Sequence, residues 1–150
     1  MIIWCDKPEL KITSDIVPLT IVDKPIPGEN KETRKHKQKY PYLNLERILW
    51  DINHLGMQYC FPIQAGFRWN GTNCLFLQHC PTLLDASMIH DAMCNNHELV
   101  GQDRQLSSII FREVGIASGM WKPFMYGAYH AVDNFQKVWG KDLAGNKWQN

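Results

Sequence analysis

The segment Leu83-Leu-Asp-Ala-Ser-Met-Ile-His90-Asp91-Ala-Met-Cys94-Asn-Asn-His97 constrains the fold more than any other. Its apolar residues Met88, Ile89, Ala92 and Met93 recur at helical spacing, which predicts a helix with that side against a core. At about 100° per residue, His90, Cys94 and His97 fall in one narrow stripe on the other side. Together with Asp91 they concentrate ionisable and metal-capable groups on one short helix, which marks a candidate site.

Punctuation by proline and glycine places this helix at about 82–95, with Pro81 just outside and Thr82 or Asp85 as capping residues. A second helix is predicted from about Asp103 to Val114, stopped by Gly115. A third is predicted from about Lys122 to Val138, with Pro123 in its first turn and Gly140 as its stop. The third has Phe124, Ala128, Ala131, Phe135 and Val138 on one side.

Upstream the pattern changes to strands. Leu45–Ile52 and Met57–Phe61 read as a β-hairpin around Asn53-His54-Leu55-Gly56, where Gly56 can supply a positive φ. Residues 1–28 read as an extended N-terminal arm or strands. Leu10–Thr13 and Ile16–Val22 are rich in β-branched residues, and Pro8, Pro18, Pro25 and Pro27 forbid helix. Residues 29–44 read as a basic loop or linker, and 141–150 as a tail that Trp148 could anchor. The expected architecture is one α+β domain over 45–140, a small antiparallel sheet followed by a three-helix unit.

Composition adds exclusions. With 45% hydrophobic and 21% charged residues the chain resembles an ordinary globular protein. A net charge of +1 gives no general attraction to nucleic acid or anionic membrane. The five Lys/Arg within Lys31–Lys39 form a local exception, either a solvated loop or a tether for nucleic acid or an acidic partner. Five cysteines without framework spacing predict reduced thiols and a cytosolic setting. No apolar run is long enough to span a bilayer, and the first residues lack a signal-peptide pattern. Asn70-Gly71-Thr72 then reads as a turn.

Four motifs, in order, resemble a phage-borne family, the domain of unknown function 1353. Ile63-Gln-Ala-Gly66-Phe67-Arg-Trp-Asn70-Gly71-Thr-Asn73 is similar to its Gly-Phe-x-Thr-Asp-Gly-Ala-Ser segment. Ala86-Ser-Met-Ile-His90-Asp91-Ala-Met-Cys94 resembles its Ala-x-x-His-Asp-x-Leu-Tyr helix, with Cys94 in place of the aromatic. Arg104-Gln-Leu-Ser-Ser108-Ile-Ile-Phe111 resembles its Arg-x-x-Ala-Asp-x-x-Phe helix, and Met125-Tyr126-Gly-Ala128 its Met-Tyr-x-Ala. The resemblance covers roughly residues 45–140. Asn70, Asn73 and Ser108 depart from it, each removing a carboxylate or altering a small polar group near the presumed site.

The same order of motifs is similar to phospholipase A2-type sites. That similarity implies His90 as base and Asp91 as a Ca²⁺ ligand, with Ser108 standing where an orienting Asp belongs and Asp103 or Asp85 as substitutes away from the matching position. A second chemistry is Zn²⁺ bound by His90, Cys94 and His97, joined by Cys74, His79 or Cys80, or with Asp91 as an oxygen ligand. A third reading has no chemistry: His90, donating to a backbone carbonyl or a nearby side chain, and Asp91, paired to Arg104, Arg112 or Lys122, hold three helices together. Aromatic residues crowd the third helix. Trp121, Tyr129 and Trp139 are the candidates for a partner-binding surface, against a core that wraps the helix all round.

The resemblance implies a phage-type protein of the virion or its assembly, made in the host cytoplasm. It would act through contacts with other subunits and carry a degenerate, inactive His-Asp site without a cofactor. The alternative is a small metal-assisted hydrolase, acting on lipid, cell wall or phosphoester, with Zn²⁺ or Ca²⁺ bound.

Overall fold

Alternation of large apolar and polar residues over Ile48–His54 builds the central strand of the molecule. In the computed structural model, which describes residues 2–7, 9–72, 79–95 and 104–139 (the backbone alone at 2–7, 104 and 135–139), this strand is β5. The strands before it are β1 (Ile2–Lys7), β2 (Leu10–Ser14), β3 (Thr20–Val22) and β4 (Tyr42–Asn44); β6 (Met57–Ile63) and β7 (Arg68–Trp69) follow. One antiparallel sheet has the order β1-β2-β5-β6 and a smaller one the order β3-β4-β7. The α+β class expected from sequence is the one observed.

Period-two spacing puts Ile48, Trp50 and Ile52 on one face of β5, opposite Ile63, Phe61 and Tyr59 of β6. Leu10 and Ile12 of β2 extend that face, and all of these except Tyr59 are fully buried. The hairpin closes on two residues, Leu55 (φ 51°) and Gly56 (φ 79°), both left-handed as a type I′ turn requires. Leu55 carries a strain of about 1 kcal/mol or more there. Its N–H donates to Glu9 O at 2.8 Å, which ties the turn to the β1–β2 connection.

Three helices pack beside this sheet in series: α2 (Leu84–Asn95), α3 (Arg104–Ala117) and α4 (Lys122–Trp139), the first two touching it. α2 packs on α3 and α3 on α4, while β6 touches α2 and β1 touches α3. Gly115 does not stop its helix. A Cβ there would lie 2.4 Å from Met125 Cε, so the glycine serves close packing of α3 on α4. The stop is Gly119 (φ 100°), where Gly119 N–H bonds Ile116 O and Met120 N–H bonds Gly115 O. That pair of bonds is a Schellman cap. On α4 the buried residues are Met125, Ala128, Tyr129, Val132 and Asp133; Ala131 is exposed, so the packed face is rotated from the one expected. Phe135 and Val138 lie outside the described side chains, and Gly140 and the 141–150 tail outside the described residues.

Of the two readings of the N-terminal residues, arm or strands, residues 2–14 take the second: they form two strands of the main sheet, with β2 paired to β5 along its whole length. One further expectation is corrected. Residues 31–39 are not a loop but a helix, α1 (Lys31–Lys39). Asn30 caps it by accepting Thr33 N–H at 2.8 Å. Glu32 in its first turn and Lys37 and Lys39 in its last suit the helix dipole. No helix among the described residues is long and apolar enough to cross a membrane.

Candidate functional site

α2 is tied down over its first turns. A 3-10 turn, Pro81–Leu83, leads into it, with Cys80 rather than Thr82 or Asp85 at the cap position and no side-chain capping bond. Thr82 Oγ1 instead lies 3.1 Å from Cys80 Sγ and 3.5 Å from Met120 Sδ. Asp85 sits in the first turn, and burial pushes its carboxyl up to about 6. One turn on, Ser87 Oγ accepts Trp69 Nε1–H at 3.1 Å and donates to Leu84 O at 2.9 Å. That bond joins α2 to the small sheet, where Trp69 stacks on Phe67 with ring centroids 5.9 Å apart.

In the His-Asp pair His90 is buried and Asp91 half-buried. His90 is 5% exposed, with its ring against Phe111 at 5.5 Å and tilted 60°. Its Nδ1 lies 3.5 Å from Asp91 Oδ1. Cys94 Sγ is 3.9 Å from Nδ1 and 3.8 Å from Nε2. A sulfur equidistant from both ring nitrogens is in line with neither lone pair. The structure thus brings His90, Asp91 and Cys94 together, but as packed neighbours. Residues 86–90 and 92–94 are all buried, so the stripe expected to face away from the core is itself covered. His97 lies outside the described residues.

The supporting candidates go elsewhere. Ser108, expected from sequence to stand in for an orienting Asp, is fully buried on α3. Arg112 is committed to Glu113, through Nε at 3.0 Å and Nη2 at 2.8 Å. Its guanidinium also lies over the Tyr126 and Tyr129 rings at 4.7 and 4.8 Å. Lys122 is exposed at the start of α4. The Arg104 side chain, Asp103, Asn73 and Cys74 fall outside the described parts. His79 is bound through Nδ1 to the hydroxyl of buried Tyr42, 2.6 Å away, and burial raises the Tyr42 phenol. No group of three metal-capable side chains converges among the described residues. Cys60 is exposed, and its bond to Asp51 Oδ1 at 3.2 Å holds its thiol above the ordinary range.

A cleft of about 400 Å³ lies beside α2, lined by Pro62, Ile63, Gln64, Ala65, Gly66, Phe67 and Ala92. Ala92 is about 200° round the helix from His90. The cleft therefore opens on the opposite side of α2, and among the described residues no titratable side chain lines it.

Of the three aromatics expected to meet partners, Trp121 is 73% exposed. Tyr129 is 8% exposed and is corrected to a core residue, its hydroxyl accepting Gln105 Nε2–H at 3.2 Å. The Trp139 side chain lies outside the described parts.

Two features escaped the sequence reading. An ion-pair group joins Arg68 of β7 to Asp23, Asp23 to Lys37 of α1 (3.5 Å), and Lys37 to Glu29. The Arg68 and Lys37 contacts hold Asp23 below the usual carboxylate range, and Lys37 does the same to Glu29. The second is the edge of β3. Thr20 and Val22 turn their backbone groups away from β4, since Leu19 O and Asp23 N are the ones bonded across. Around that edge Val17, Leu19, Ile21, Val22 and Ile26 are exposed.

No family model, no curated protein and no solved structure matches this chain, so its site is read from its own residues.

Proposed function

We propose that this protein works by contact with protein partners, as a component of a phage particle or its assembly. In this reading its His-Asp pair packs α2 against α3 and performs no reaction. The phage setting rests on the four motifs that resemble the domain of unknown function 1353. The contact function rests on one observation: five exposed apolar side chains, Val17 to Ile26, flank the open edge of β3. An exposed strand edge with apolar neighbours is suited to accepting an extended segment from another subunit. Trp121, also exposed, supplies a second anchor. A hydrolase working through His90 would need the imidazole open to substrate, and its burial favours the packing role.

Photo-crosslinking tests the reading. A benzophenone amino acid is placed at Val17 or Ile21, and at Leu55 on the β5–β6 turn, as exposed as Val17, as a control. The expected result, in the cells where the assembly forms, is a discrete adduct from the first two positions and none from Leu55. Equal adducts from all three positions, or none, would refute it.

A further inference from the structure

The four outward cations of α1 are arranged for a polyanion. At 100° per residue, Arg34, Lys31, Lys35 and Lys39 fall within an arc of about 140°, together with Gln38. Lys31, Lys35 and Lys39 succeed one another at about 6 Å along the axis. All four cations are exposed. The remaining lysine, Lys37, points the other way, into Asp23 and Glu29. That inward contact has two consequences. It fastens the helix to the small sheet through Asp23 and Arg68, and it engages the carboxylates of Asp23 and Glu29. Among the described residues no acidic side chain pairs with the outward four; Lys39 lies over the Tyr40 ring at 5.1 Å. Glu32 is the single acid on the helix, at the margin of the arc.

We propose that this face of α1 is a binding surface for the phosphate backbone of duplex DNA. The chain as a whole is almost neutral, so the attraction is local to this helix. A fixed helix with evenly spaced cations suits a regular line of phosphates better than a mobile anionic peptide. A membrane fits less well, because α1 has no apolar face to insert. The contacts reach phosphate only, so binding is independent of base sequence. This inference stands apart from the β3 edge.

The test is fluorescence anisotropy with a labelled duplex of about 20 base pairs, titrated from about 50 to 200 mM salt. Four phosphate contacts predict a log–log slope of about −3.6, an affinity loss of about 150-fold over that range. The triple variant Lys31→Gln, Lys35→Gln, Lys39→Gln should reduce the slope to about −0.9 and the loss to about 3.5-fold. These side chains make no ion pair, so the fold is retained. A charge-matched control, Lys11→Gln, Arg47→Gln, Lys122→Gln, should keep the wild-type slope. The proposal is overturned if the wild type fails to bind at the lowest salt, or if the control loses as much as the α1 variant. Tighter binding to vesicles of phosphatidylserine and phosphatidylcholine, or to a single strand of equal length, overturns it as well.

Discussion

Replacing His90 with alanine distinguishes a packed imidazole from a working one. A catalytic or metal-binding His in an open site could be removed at little cost in stability. Here the ring is 5% exposed and meets Phe111 at 5.5 Å. Truncating a buried side chain of this size leaves a cavity and costs about 2–4 kcal/mol. Loss of the tilted ring pair contributes up to about 1 kcal/mol of this. A central value of about 3 kcal/mol lowers the folding equilibrium constant by roughly 150-fold. Urea unfolding followed by tryptophan fluorescence is the assay, because Trp50 and Trp69 are both buried. With a urea dependence of about 1–3 kcal/mol per M, the midpoint should fall by roughly 1–3 M. A change below about 0.5 kcal/mol, the size of an ordinary surface substitution, would refute the packing argument.

Two other substitutions test the framework around the helix. Asp85 titrates at about 6 in the folded protein against an ordinary 3.8, so the folded state holds its proton more tightly. Stability should therefore fall as pH rises from about 4 to 6, by up to about 3 kcal/mol. Asp85→Asn should remove that fall, matching the wild type near pH 4 and exceeding it near pH 7 in thermal melts. Gly115→Ala should gain about 1 kcal/mol of helix propensity but lose about 1–3 to overpacking against Met125, for a net destabilisation. In a Met125→Ala background the same change should become stabilising, read by a double-mutant cycle in urea.

The hairpin of β5 and β6 was legible because alternation and Gly56 are local signals, and a two-residue turn fixes the register. Helices α2, α3 and α4 were legible from apolar spacing between proline and glycine. α1 was not, since it buries none of its residues and has no apolar period to detect. Its marks were Asn30 at the cap and the acidic-to-basic order of Glu32, Lys37 and Lys39. The pairing of β2 with β5 joins residues about 40 apart, a contact no local pattern encodes. Gly115 and Gly119 look alike in a sequence; only the approach of Met125 tells the packing glycine from the cap. The His-Asp helix misled for a related reason. A wheel separates polar from apolar residues, but α2 is covered on nearly all sides, so its His90 and Cys94 stripe is buried too.

Metal content of the purified protein, measured beside His90→Ala by plasma mass spectrometry, bears most directly on the claim that His90, Asp91 and Cys94 are a packing cluster. The account predicts no stoichiometric metal in either protein, because Cys94 Sγ is aligned with neither imidazole nitrogen and His90 is closed against Phe111. Near-stoichiometric Zn²⁺ or Ca²⁺ in the wild type, lost in His90→Ala, would contradict it and make α2 a metal centre.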